Sequence, residues 1–102
     1  MDHPLDVIAT TILEVDGEPG FTIRIGKPVL DPEGDCWYCH YDIEGPITKR
    51  EMFFGGHDAM QALINALYAI GVDIEMSAEY VQGRLSLDGD KSDFGFPSRP
   101  RW

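Results

Sequence analysis

The sequence predicts an α+β domain in which an antiparallel sheet of four to five strands packs one long helix on one face, in the order β-β-β-β-α-β. Segments rich in β-branched and aromatic residues alternate between apolar and polar side chains in the first half of the chain. One later segment instead repeats apolar residues at spacings of three and four. The length of 102 residues, with 43% hydrophobic and 25% charged residues, predicts a single domain over residues 1–102.

The first two predicted strands form a hairpin. Residues 7–15 are apolar on both faces, which favours a central or covered strand. Asp16-Gly17 signals a turn that Glu18, Pro19 and Gly20 extend. Residues 21–26 alternate cleanly and form the second strand.

The third and fourth predicted strands cover residues 36–44 and 48–54, separated by a turn at Gly45-Pro46. Alternation divides the third strand into two faces. One face carries Trp37, Cys39, Tyr41 and Ile43, and the other carries Cys36, Tyr38, His40 and Asp42. We expect Gly55-Gly56 to end the fourth strand.

The predicted helix covers residues 59–70. Asp58 and Gln61 have the spacing of a capping box, and Gly71 is placed to end the helix. Its apolar stripe consists of Met60, Leu63, Ile64, Leu67 and Ile70. The predicted core joins the strands to this stripe through Ile23, Ile25, Trp37, Cys39, Tyr41, Leu63, Leu67 and Ile70.

The chain after Gly71 carries weaker signals. Apolar residues alternate with acids over residues 72–76, which is typical of a short strand or an extended loop. Residues 84–87 lie between glycines and predict a last strand, and residues 90–102 predict a loop or C-terminal tail.

The charge excludes one class of partner. The chain has a net charge of −10, and residues 1–46 hold ten acids against two bases. A nucleic-acid backbone requires a basic surface, which this composition lacks. The excess either solvates the surface or attracts a basic protein, in which case Glu14, Asp16 and Glu18 at the first hairpin are the expected contacts.

The sequence also bears on the location of the protein. The apolar runs are shorter than a membrane span requires, so we expect no membrane partner. The polar residues 1–4 do not resemble the start of an export signal, so we expect a cytoplasmic protein.

The segment Cys36-Trp37-Tyr38-Cys39-His40 has the spelling of a haem attachment motif. Residues three apart in a strand point to opposite faces, so the two thiols cannot share a haem or a disulfide there. Zinc would take Cys36, Cys39, His40 and His57, but the second close pair of ligands is missing. We expect no cofactor, no bound metal and no catalytic residue.

Several segments resemble a family of short bacterial proteins that is known only as a domain of unknown function. The segments are Arg24-Ile25-Gly26-Lys27-Pro28, then Trp37-x-Cys39-x-Tyr41-x-Ile43-x-Gly45, then Gly56-x-Asp58-Ala59-Met60-Gln61-Ala62-Leu63. The resemblance covers most of residues 7–89 and implies a bacterial cytosolic protein without implying an activity. It also implies that the residues at positions 36 and 40 vary, which would make the haem-like spelling incidental.

Three functional hypotheses follow. The first is a non-enzymatic protein-binding module of the inhibitor or immunity type. The second is a ligand-binding protein or enzyme with a site between sheet and helix, built from His57, Asp58, Cys36, His40 or Arg24. The third is a structural zinc protein. All three are compatible with a homodimer formed through a sheet edge or through residues 72–76.

Overall fold

The computed structural model describes residues 5–97 and confirms the α+β class, with an antiparallel sheet and one main helix. The elements are β1 (Val7–Val15), β2 (Glu18–Gly26), β3 (Val29–Leu30), β4 (Trp37–Glu44), β5 (Lys49–Gly56), α1 (Ala59–Met76), α2 (Ala78–Val81) and β6 (Leu85–Ser86). The sheet runs β3-β4-β2-β1-β6, and β5 pairs with β4. Both β3 and β6 are two residues long. Because β6 lies within the predicted last strand, only β3 goes beyond the expected four to five strands.

The β1–β2 hairpin is tighter than the sequence predicts. Asp16 and Gly17 have φ values of 56° and 85°, and Val15 pairs directly with Glu18. Aspartate followed by glycine suits a two-residue turn with positive φ at both positions. The second strand therefore begins at Glu18, and Pro19 is accommodated beside a register shift where β4 does not pair with β2.

The expectation that β1 is a central or covered strand is wrong over most of its length. β1 pairs with β2 on one side, but β6 pairs only with Glu14 and Val15 on the other. Val7, Ile8 and Ile12 are 39%, 53% and 53% exposed. The apolar character of both faces therefore marks an open edge of the sheet.

The end of β5 corrects a second expectation. Gly55 and Gly56 do not break the strand but complete it, paired with Tyr38 and Trp37. A Cβ atom on Gly56 would lie 2.4 Å from the backbone nitrogen of Ala62. The glycine is thus required because the first turn of α1 lies directly against the strand end.

The helix α1 begins as the sequence predicts and ends later. The amide of Gln61 donates to the Asp58 carboxylate at 2.7 Å, and the Gln61 side chain accepts from the amide of His57. The helix continues through Gly71 to Met76, so the expected end at Gly71 and the strand or loop at 72–76 are wrong. A Cβ atom on Gly71 would lie 3.1 Å from the Pro97 carbonyl oxygen, so the glycine allows the C-terminal segment to pass close to the helix.

The buried face of α1 is rotated relative to the predicted stripe. The residues that are completely buried are Ala62, Ala66, Ile70 and Ile74. Met60 is 65% exposed and Ile64 42% exposed, whereas Leu63 and Leu67 pack at the margin of the core. Small alanines against the sheet let the helix approach closely, which turns the larger residues outward.

The rest of the predicted core is largely confirmed. Ile23, Ile25, Cys39, Tyr41 and Ile70 are buried, and Trp37 packs against them with partial exposure. The core also includes residues outside that predicted set, namely Leu13, Val15, Phe21, Ile43, Leu85 and Phe94.

The C-terminal segment is more than a tail as far as Pro97. It lacks a helix or strand, but Phe94 is 7% exposed and packs edge-on against Tyr80 with ring centroids 5.8 Å apart. Phe96 packs against the same core, while residues 98–102 lie outside the described chain. No helix within residues 5–97 is long and apolar enough to cross a membrane.

Candidate protein-binding face

The sheet has one face packed on α1 and one face turned away from it. Alternation places Cys39, Tyr41 and Ile43 of β4 in the core, so their neighbours point the other way. We call the outward side the open face. Its side chains come from four strands and include Thr10, Ile12, Thr22, Arg24, Tyr38, His40, Asp42, Glu44, Glu51 and Phe53.

An aromatic cluster lies on the open face where β4 meets β5. Phe53 pairs with His40 across the two strands, and their ring centroids are 5.2 Å apart. Tyr38 contacts Phe53 edge-on at 5.5 Å. Phe53 nevertheless remains 55% exposed, so its ring has unburied apolar surface that the fold itself does not use.

One arginine lies among three acids beside this cluster. Arg24 donates to Asp42 through Nε at 3.0 Å and through its terminal nitrogen at 2.5 Å. The pKa of Arg24 is raised, first by the hydrogen bond and charge of Asp42 and then by Glu44 and Glu51. Lys49 lies 4.0 Å from Glu44, so two cations face three carboxylates and this part of the open face retains a negative charge.

More acids lie at the β4 end near Tyr38. The loop before β4 carries Asp31, Glu33 and Asp35, and the last two are exposed. The pKa of Tyr38 is raised, mainly by the Cys36 thiol and to a smaller extent by burial and Asp31. The aromatic cluster is thus bordered by carboxylates on the loop side as well.

Two of the three acids expected to contact a partner are engaged within the fold. Glu14 accepts hydrogen bonds from the Ser86 hydroxyl and the Gly89 amide, and the Ser86 bond chiefly lowers its pKa. Asp16 forms an ion pair with Arg84 at 2.9 Å, which lowers the pKa of Asp16. Both therefore tie β1 to the β6 region.

Glu18 differs from the other two acids of the hairpin. It is exposed at the start of β2 and pairs only through its backbone with Val15. Reversing the charges of all three acids would consequently disturb the fold as well as any contact.

The four residues considered as zinc ligands, Cys36, Cys39, His40 and His57, are not brought together. Cys39 is buried and lies within hydrogen-bonding reach of the Gly26 carbonyl at 3.4 Å, while His40 points to the open face. Both thiols are free, and burial raises the pKa of Cys39 to about 11. Within residues 5–97 no three His, Cys, Asp or Glu side chains come close enough to hold a metal ion.

The residues named for an enzymatic site are also dispersed. Asp58 caps α1 and Arg24 lies on the open face, so neither contributes to a space between sheet and helix. That space instead holds a network that the sequence did not indicate. Tyr41 donates to Asp73, which also accepts from Arg50 Nε at 3.0 Å. Burial, followed by the Asp73 contact, raises the pKa of Tyr41.

A cleft of about 1150 Å³ opens beside Asp73, between α1, β5 and the C-terminal segment. Its walls include Phe54, Tyr68, Phe94 and Phe96. The sequence could not indicate it, because Phe94 and Phe96 belong to a segment without periodicity.

The fold and the open face define a small two-layer α+β domain whose second sheet face is left uncovered by the helix. The chain belongs to the family described as domain of unknown function DUF6968, whose model matches residues 9–98. The resemblance to an uncharacterised family is thereby confirmed. No curated protein and no solved structure matches the chain.

Proposed function

We propose that the protein is a non-enzymatic protein-binding module, of the inhibitor or immunity type, that contacts a basic protein through its open face. The observation that carries the proposal is Phe53, which is 55% exposed in an aromatic cluster with Tyr38 and His40. Aromatic residues surrounded by a polar rim are the usual centres of binding energy in protein interfaces.

Charge supports a basic partner. Arg24, Arg50 and Arg84 each form an ion pair with an acid, and Lys49 lies 4.0 Å from Glu44. Glu51 and the loop acids Glu33 and Asp35 are exposed. Surplus carboxylates raise the rate of encounter with a positively charged surface and repel phosphate backbones. The face is therefore suited to a protein and unsuited to a nucleic acid.

The proposal also concerns location. Cys36 and Cys39 are free thiols, which suits a reducing compartment. We assign the protein to the bacterial cytoplasm, where the binding of a basic protein would take place.

Affinity capture tests the proposal. Immobilised wild-type protein and the Phe53→Ala variant are exposed to a bacterial lysate, and retained proteins are eluted with a salt gradient. Val81→Ala serves as the matched control, because Val81 is 73% exposed on α2 and lies outside the open face.

We expect wild type and Val81→Ala to retain the same basic protein, Phe53→Ala to lose it, and the purified partner to bind directly. Retention of the same proteins by all three would overturn the proposal.

A second candidate is a small-molecule binding protein that uses the cleft beside Asp73. It rests on the aromatic walls of the cleft and on the Tyr41–Asp73–Arg50 network at its side. Mapping by NMR with a fragment library would test it, since ligands of the cleft would shift the amides of residues 68–75 and 92–97. Shifts confined to the open face would refute it.

A further inference from the structure

The outer edge of β1 is open between its two ends. Within residues 5–97, the only strand that pairs with this side of β1 is β6, which meets Glu14 and Val15. Residues 7–13 pair with β2 alone and extend for about 23 Å at the usual rise per residue. No strand within the described part of the chain pairs with their outward main-chain groups.

This edge has little of the protection that edges usually carry. Lysines, prolines, inward-pointing charges and bulges are the common devices against strand addition. Residues 7–13 contain no charge and no proline. Their pairing with β2 has one irregularity, a register shift between Val7 and Ala9. Ile8 and Ile12 are both 53% exposed, which makes the edge apolar as well as open.

A groove lies along the inner side of the same edge. It has a volume of about 390 Å³, and its floor includes Ala9 and Thr11 of β1. Its other walls are mainly apolar and include Leu67 of α1 with Phe94 and Phe96 of the C-terminal segment. A strand added beside β1 would point alternate side chains toward this groove, which is the arrangement that gives strand-addition sites their specificity.

Acids stand at both ends of the edge. Asp6 precedes it and is exposed, while Glu14 follows it next to the turn that carries Asp88 and Asp90. A segment with a cation at each end would complement these charges. A second copy of the chain would not, because antiparallel pairing of two β1 strands places Asp6 of one copy near Glu14 of the other.

We propose that the edge of β1 binds an extended segment of the basic partner by antiparallel strand addition, with apolar or β-branched residues along residues 7–13 and a lysine or arginine at each end. This inference rests on the proposed function, because it specifies how that partner is held. The main-chain hydrogen bonds supply affinity, the groove selects side chains and the flanking acids select charge.

The test uses the wild-type protein and synthetic peptides. The probe is a nine-residue peptide of alternating valine and threonine with a lysine at each end. A first control peptide has the same side chains but carries N-methyl groups on alternate amides. These groups remove the N–H donors that would face β1. A second control replaces both lysines by glutamates. Binding is measured by titration, and amide hydrogen exchange of residues 7–13 reports where the peptide lies.

We expect the lysine peptide to bind at least about tenfold more tightly than either control, since several hydrogen bonds or both charge contacts are lost. We also expect it to slow exchange at the open amides of residues 7–13. Equal binding of the N-methylated peptide, or protection elsewhere, would overturn strand addition.

Two further outcomes are decisive. Concentration-dependent dimerisation of the protein alone, with protection of residues 7–13, would assign the edge to a second copy and overturn the proposal. Failure of the lysine peptide alongside Phe53-dependent capture of a basic protein would remove strand addition and leave the proposed function standing.

Discussion

At the scale of single residues, Glu79 shows how a charge is placed inside this fold. Glu79 is completely buried. Its carboxylate accepts hydrogen bonds from the amides of Ile47 and Thr48 and from the Thr48 hydroxyl at 2.6 to 2.9 Å. Burial raises the pKa of Glu79, but these hydrogen bonds outweigh it and the net pKa is lowered. The carboxylate thus fastens α2 to the turn between β4 and β5.

We expect Glu79→Gln to lower the free energy of unfolding by about 1–3 kcal/mol, because an amide nitrogen cannot accept the bonds that one carboxylate oxygen accepts. Urea denaturation at pH 7 measures it, with Glu75→Gln as the control for an exposed acid on the preceding helix. Equal loss in both variants would contradict the structural role of Glu79.

The same residue predicts a pH dependence. Because the pKa of Glu79 in the folded protein lies below the ordinary value of 4.5, the ionised carboxylate stabilises the fold. This stabilisation is fully present at pH values above 4.5. This contribution is lost as the pH falls through the folded pKa. The difference in the free energy of unfolding between wild type and Glu79→Gln should therefore become smaller as the pH falls below about 4.5. A difference that widens on acidification would show that Glu79 is protonated in the fold.

Sequence reasoning could not find this residue. Glutamates are almost never fully buried, and nothing at positions 77–81 announces that the turn at Gly45 lies within reach. In contrast, Tyr38 and His40 were placed on the outward face of their strand by alternation alone. Local patterns predict local geometry, whereas Glu79 depends on the meeting of two distant segments.

At the scale of elements, α1 tests how the helix register is chosen. Ile70 and Met60 both belong to the predicted stripe, but Ile70 is completely buried whereas Met60 is 65% exposed. Ile70→Ala should cost about 2–5 kcal/mol of unfolding free energy, because truncation leaves a cavity. Met60→Ala should change it by less than about 0.5 kcal/mol. Chemical denaturation of both variants measures these losses. Similar losses of unfolding free energy in the two variants would support the helix register predicted from the sequence.

The failure of that predicted register has a physical cause. Counting large apolar residues selects Met60 and Ile64, yet the sheet accepts the helix along Ala62 and Ala66 because small side chains shorten the distance between the layers. The capping residues Asp58 and Gln61 were predicted correctly, since their hydrogen bonds are made within four residues.

The junction of β5 and α1 yields a further prediction. Gly56→Ala would place a Cβ atom 2.4 Å from the Ala62 backbone nitrogen, so the helix start or the strand end must move. We expect a loss of about 1–3 kcal/mol or more in unfolding free energy. Gly20→Ala is the matched control, because its Cβ atom would meet neighbours only at 3.7 Å. A neutral Gly56→Ala would mean that the junction is looser than the structure shows.

At the scale of the whole molecule, the charge of −10 acts on stability and on association in opposite ways. A large net charge destabilises the compact state through self-repulsion, and the same field attracts a basic partner. Salt weakens both effects, since the Debye length falls from about 30 Å at 0.01 M to about 3 Å at 1 M.

Sodium chloride should therefore raise the thermal midpoint of the protein and slow its association with a basic partner. The ion pairs work against the first effect, because salt weakens them too; they are Arg24–Asp42, Lys49–Glu44, Arg50–Asp73 and Arg84–Asp16. Exposed pairs contribute only about 0–1 kcal/mol each, however, and 18 acids face 8 bases over the full chain. Thermal melts between about 0.01 M and about 0.5 M salt measure the change in thermal midpoint, and stopped-flow experiments over the same range measure the change in association rate. A thermal midpoint that falls as salt is added would show that the ion pairs contribute more to stability than charge repulsion removes. An association rate that ignores salt would show that the surplus acids do not recruit the partner.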